Sequence, residues 1–245
     1  MPTGIIINCI SVVLGGLLGA LCGHRLTADF KTKLNMVFGA CAMSMGISSI
    51  VLMSNMPAVI FAAVIGTAAG LFIHFGEAIE KAASAAEHRV SSLLPSGRHE
   101  EKAVSAETFN QELITALVLF CASGTGIYGS IVSGMSGDHS ILIAKSVLDL
   151  FTALIFGCSL GLIVSFIALP QLIIFLLLFF AGRFIYPLTT PEMINDFKAV
   201  GGILLLATGF RMIQVKIFPT ADMIPAMVLV MPVSWFWSTV LMPLL

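Results

Sequence analysis

Charge is scarce in this chain. Of 245 residues, 10% are charged and 58% hydrophobic, against roughly 25% charged in an ordinary soluble domain. Too little polar surface remains to cover a water-soluble globule, which excludes that class. No sign of charge is in excess either: the net charge of -1 gives no electrostatic reason to expect nucleic acid. Cysteine is limited to Cys9, Cys22, Cys41, Cys121 and Cys158. These form no CxxC pair, number an odd five and fall inside apolar runs, so they read as small fillers rather than disulfides or metal ligands. The opening MPTGIIINCISVVLGG has no basic n-region and no small-x-small cleavage site, so the first span is expected to be retained. No Walker loop, HExxH or GxSxG occurs, and no soluble segment could hold a nucleotide. The expectation is a non-enzyme without cofactor or metal.

What remains is apolar sequence in long runs. The reading is an all-α polytopic transmembrane bundle, residues 1–245 forming one integral membrane domain. Eight spans are expected, roughly 4–23, 33–53, 57–77, 112–134, 140–168, 169–186, 197–213 and 222–245. The fifth and sixth divide at Leu169–Pro170, because about 20 residues suffice for one crossing. With eight crossings, Arg25, Lys31, Lys33, Lys81, Arg89, Arg98, Lys102, Arg211 and Lys216 share one side. Lys145, Arg183 and Lys198 fall on the other. By the positive-inside rule both termini face outward. Loop 78–111, with the helix-forming AIEKAASAAEHRVSSLL, becomes a cytoplasmic extension or interfacial helix.

Two stretches resemble each other. Asp-Phe-Lys at 29–31 and at 196–198 precedes a Gly-containing span, and the next span then opens with Pro57-Ala58 or Pro225-Ala226. Asp29 to Pro57 is 28 residues and Asp196 to Pro225 is 29. Spans 1–3 and 6–8 therefore form a candidate repeat, inverted because five crossings separate the copies; inverted repeats characterise secondary transporters. Coincidence among Leu/Ala/Gly-rich helices is the alternative. Gly15-x3-Gly19, Gly66-x3-Gly70 and Gly157-x3-Gly161 are small-residue faces for contact within a chain or between two copies, which makes a homodimer the expected assembly.

The fourth span is chemically unusual. Gly124, Gly126 and Gly129 stand among Ser123, Thr125 and Ser130, and each Gly costs a helix about 1 kcal/mol relative to Ala. Such a segment is tolerable in lipid where its backbone faces protein or water. A broken helix offering hydroxyls to a ligand is the functional reading, and close packing through small residues is the plain one. The fifth span then carries Lys145 and Asp149 on one helical face, about 8 and 14 Å deep at 1.5 Å per residue. An aspartate at that depth costs about 2.5–3.5 kcal/mol even on a lenient scale. An internal Lys–Asp pair would lower the cost. The functional reading makes Asp149 a protonatable or cation-binding group with Lys145 beside it as gate or anion contact. Thr152 lies on the same side and Asn8 in the first span; both are further candidates, with helix glue the plainer role for Asn8.

The N-terminal INCISVVLGGLLGALCG, the Gly-rich fourth span and SGDHSILIAKSVLD together resemble the YqgA/YdfK-like bacterial inner-membrane family, domain of unknown function 554. The likeness covers essentially the whole chain. Its most distinctive part is Gly137, Asp138, Ser140, Lys145, Ser146, Leu148 and Asp149. It implies a bacterial cytoplasmic-membrane protein of similar architecture and supplies no substrate. The expected function is secondary transport of a small solute or ion, coupled to H+ or Na+, with the lipid bilayer as the other partner. A channel, or a non-transporting accessory membrane protein, is the competing expectation.

Overall fold

The computed structural model describes residues 1–22, 27–79, 81, 85, 113, 116–117, 119–121, 123–216 and 218–244. A backbone surrounded by lipid must satisfy its own N–H and C=O groups, so the apolar segments become helices. They are α1 (Thr3–Cys22), α2 (Ala28–Ile50), α3 (Met56–Phe72), α4 (Gly124–Ser136), α5 (Ser140–Leu160), α6 (Ile163–Phe166), α7 (Ala168–Ile185), α8 (Pro191–Met212) and α9 (Ile224–Phe236). Among the described residues there is no strand. The chain is an all-α polytopic bundle, as its composition demands. Thr3–Leu21, Ser140–Leu160, Ile163–Leu188, Pro191–Met212 and Ile224–Leu244 are long and apolar enough to cross a membrane, while Met56–Phe72 is apolar but shorter. Most of loop 78–111 lies outside the described residues.

Local chemistry sets the helix ends. Thr27 caps α2 by accepting from Phe30 N, and Thr190 caps α8 by accepting from Met193 N, with Pro191 in the first turn. The expected break in the fourth span falls at Ser123, which is extended (φ -69°, ψ 141°) and accepts from Gly126 N as α4 begins. Residues 119–121 before it are helical. At the far end of α4, Gly137 takes φ 71° and opens the turn into α5. The next division differs from the sequence expectation. α5 stops at Gly161, with φ 73° and ψ -150°, and Pro170 instead sits in the first turn of α7. A proline there lacks only an N–H that has no intrahelical partner anyway. The left-handed glycine, not the proline, ends the fifth span.

Glycines decide how the helices meet. Gly15 lies against the Leu150 carbonyl and Gly19 against Leu154 and Gly157, so α1 and α5 run parallel. Gly126 receives the Phe175 ring and Gly134 abuts the Phe179 carbonyl, so α4 and α7 are also parallel. α2 and α8 are antiparallel: a Cβ on Gly46 would stand 2.6 Å from the Gly202 oxygen, and one on Gly202 2.6 Å from the Gly46 oxygen. α3 and α9 are antiparallel through Gly66 on Ala226 and Gly70 on Asp222. Gly15, Gly19, Gly66, Gly70 and Gly157 of the predicted small-residue faces thus make contacts inside the chain, while Gly161 has nothing within 4 Å. Asp138 and Lys198, 3.7 Å apart, put the starts of α5 and α8 at one end, and Asn55 bonded to Asp196 adds the start of α3. Helices α1, α3, α5 and α8 thus run one way, and α2, α4, α7 and α9 the other.

Two cores result. One gathers Ile5, Val12, Phe120, Leu142, Ile163 and Phe175 from the α1, α5 and α7 side. The other gathers Tyr128, Phe197, Val200, Leu204, Ala226 and Met227 around α8 and α9. The outer surface carries Ile10, Leu14, Phe61, Val64, Leu177 and Phe180, all exposed. So continuous an apolar exterior fits lipid rather than water.

Candidate functional site

The helical period brings Lys145 and Asp149 to the same side of α5, and the bundle buries both: they are 3% and 5% exposed. Lys145 Nζ donates to Asp149 Oδ1 at 2.8 Å and lies 2.7 Å from Oδ2. The close α1–α5 crossing delivers Asn8, whose Nδ2 donates to Asp149 Oδ2 at 2.8 Å. From α7, Gln171 Nε2 donates to Asn8 Oδ1 at 2.7 Å. An ammonium, a carboxylate and two amides thus form one buried chain across three helices. The carboxylate fixes its direction, because only donors can face it and an amide's donor is its N–H group. Both amides point their donors toward Asp149, and Gln171 Oε1 is left at the far end without a partner among the described residues.

The other expected residues divide. Ser123 spends its hydroxyl on the α4 N-terminus, and Thr152 donates to the Leu148 carbonyl of its own helix at 2.8 Å. Thr125 is buried on the first turn of α4. Ser130 is fully buried and its hydroxyl has no partner among the described residues. Gly124 opens α4, Gly126 makes room for Phe175, and Gly129 for Leu142 and Ile141. The structure therefore unites Asp149, Lys145 and Asn8, and adds Gln171, which the sequence reading missed. A cavity of about 520 Å³ lies on the α3 surface, lined by Met56, Pro57, Ile60, Phe61, Val64 and Ile65. It includes no member of the polar chain, and its lining is apolar.

A second polar cluster also escaped the sequence reading. Asp196 of α8 is fully buried. Its Oδ1 accepts from Ser54 N at 2.9 Å and Asn55 N at 2.8 Å. Its Oδ2 accepts from Asn55 Nδ2 at 2.9 Å and Ser234 Oγ at 2.6 Å. Asn55 Nδ2 also donates to Ser238 Oγ at 3.1 Å. Between α4 and α5, Asp138 is held below the usual carboxylate range, chiefly by hydrogen bonds from the Ser140 hydroxyl and backbone N–H, with Lys198 contributing.

An apolar exterior around a buried charged chain defines an integral membrane protein of helical-bundle type. The family description "Protein of unknown function (DUF554)" matches residues 3–235, and the chain belongs to that family. It is 46% identical over 238 residues to "Uncharacterized protein YqgA" of Escherichia coli (strain K12), covering 97% of this chain and 98% of that protein. It is 22% identical over 241 residues to "Uncharacterized membrane protein YdfK" of Bacillus subtilis (strain 168), covering 95% of each. No solved structure matches the chain.

Proposed function

We propose that the protein is a secondary transporter of a small solute or ion in the bacterial inner membrane, acting at the Lys145–Asp149 site. The carrying observation is a charged pair buried within a membrane helix, tethered by amides from two others and ending in Gln171 Oε1, an acceptor without a partner among the described residues. Stability explains such a pair weakly, since apolar replacements of buried pairs are often neutral or stabilising. A proton or Na+ reaching Asp149 would compete with Lys145, freeing an ammonium for an anionic group. Gln171 Oε1 would receive a donor or a cation.

The packing supports an inverted repeat with two related halves, α1–α3 and α7–α9, running in opposite directions. Asp29 and Asp196 stand 167 positions apart (196 − 29), and so do Gly15 and Gly182. Gly15 meets the Leu150 carbonyl, while Gly182 meets the Ile131 carbonyl. Gly39 approaches Ile213 and Gly46 approaches Leu206; residues 206 and 213 are the positions 167 beyond 39 and 46, so the two contacts exchange under the repeat. Related halves of opposite orientation are the architecture of alternating access. The alternating helix directions support eight crossings, and the basic residues favour both termini outside.

Reconstituted protein should take up a member of a panel of ions and small metabolites with saturation, and with dependence on an H+ or Na+ gradient. Unsaturable flux down a gradient would indicate a channel. Absence of flux across the panel would favour the accessory role.

A further inference from the structure

We infer that Asp196 is the latch of an alternating-access device: it seals one end of the bundle in this conformation, and Asp29 is its disengaged counterpart at the other. The inference rests on the transport reading and adds its gate.

Asp196 joins three elements that are distant in sequence. It sits on the second turn of α8, takes the backbone N–H groups of Ser54 and Asn55 at the start of α3, and takes the Ser234 hydroxyl from the end of α9. Among the described residues no Lys, Arg or His forms an ion pair with it. Neutral donors alone hold the closure, and neutral donors can let go.

The repeat specifies what the other end should contain. The position 167 before Asp196 is Asp29, at the start of α2. The counterpart of the α3 start is the α9 start, and that of the α9 end is the α3 end. The α3–α9 pair is closed at both ends: Asn55 reaches Ser238 at one, and Gly70 lies on Asp222 at the other. The arms differ. α8 packs along both α3 and α9, whereas α2 scarcely touches either. Asp29 is 72% exposed in its side chain and pairs with Lys33 at 2.7 Å on its own helix.

Such a surface pair restrains Asp29 by little. The two arms also meet back to back through Gly39, Gly46, Gly202 and Gly209, where the backbones approach closely and the Ile213, Ile50 and Met43 side chains press into the space the glycines leave. One bundle thus holds the same machinery engaged at the end bearing the termini and open at the other. In the opposite conformation Asp29 would engage the start of α9, and Asp196 would release α3.

The test reads conformation without any solute. Full-length protein with its cysteines replaced receives a single cysteine at Met193, which is 7% exposed near the latch, or at Phe30, 48% exposed at the open end. Maleimide labelling rates are then measured with and without Ser234→Ala, and with and without Asp196→Asn. A hydrogen bond to a charged acceptor shifts a two-state balance by roughly ten- to a hundred-fold. Ser234→Ala should therefore raise labelling at position 193 about ten-fold and lower it at position 30, with Asp196→Asn acting further in the same sense. If labelling at 193 rises while 30 stays constant or rises too, the cluster is only a structural cap and the latch is refuted. Unchanged rates at both positions refute it as well. If Asp196→Asn does not fold, the milder Ser234→Ala still decides. Failure here leaves the transport assay standing, and failure of that assay leaves the conformational result intact.

Discussion

Lys145 and Asp149 neutralise each other only while both are present. Removing one partner of a buried pair leaves the other as an uncompensated charge, at a cost of roughly 3–5 kcal/mol. Asp149→Asn alone, and Lys145→Met alone, should therefore lower the thermal unfolding temperature in detergent substantially. The double variant should recover most of the loss, because an asparagine at 149 still accepts from Asn8 Nδ2 and no charge remains. It should also be inactive. Full transport by the double variant would reduce the pair to scaffolding. A second residue, Asp138, sets a pH dependence. Its folded pKa is lowered, so its stabilising contribution is present above the ordinary carboxylate range and fades as pH falls through the lowered value. Asp138→Asn should flatten that acid limb of a melting curve taken between about pH 5 and 2. The effect is small, because the side chain is 38% exposed. A limb unchanged by the substitution would remove the assignment. These residues differ in how legible they are. Lys145, Asp149 and Asn8 stand out as polar groups inside apolar runs. Gln171 hides beside Pro170, where the sequence reads as a turn. Asp196 shows in the sequence only as part of the repeated Asp-Phe-Lys, because its donors Ser54, Asn55 and Ser234 lie 142, 141 and 38 positions away.

At the scale of elements, backbone contacts at glycine dictate which helices touch. Gly15 sits directly on the Leu150 carbonyl, and that carbonyl belongs to a helix whose own hydrogen bonds fix it in place. Gly15→Ala should force α1 away from α5 and cost about 1–3 kcal/mol, as overpacking does. Gly129→Ala should cost less, since its neighbours are the Leu142 and Ile141 side chains at 3.0–3.1 Å rather than backbone. Equal melting losses for the two variants would contradict this account of the crossing. The interruption in the fourth span was legible, because glycine and hydroxyl residues accumulate there. The end of the fifth was not: Gly161 is one glycine among many, and its positive φ depends on how the chain must turn toward α7. Proline gave the stronger sequence signal and the wrong position.

For the whole molecule, helix direction and basic residues answer the same question independently. The contacts put Met1, the 51–55 turn, the 137–139 turn, residues 186–190 and the end of α9 at one end of the bundle. They put 73–79, 161–162, 213–216 and 218–223 at the other. Arg211, Lys216 and Lys81 stand at the second end, and under the positive-inside rule the proposed orientation makes that end cytoplasmic. Val51, Leu188 and Val215 are 77%, 74% and 61% exposed, so a cysteine at any of them is reachable and none supports the core. In intact spheroplasts a membrane-impermeant maleimide should label cysteines at 51 and 188, and should label 215 only after permeabilisation. Labelling of 51 and 188 from opposite sides would overturn the alternating directions and the eight-crossing arrangement with them. Labelling of 215 alone in intact spheroplasts would keep that arrangement and reverse its orientation. The basic residues would then face outward, and the end sealed by Asp196 would be the cytoplasmic one.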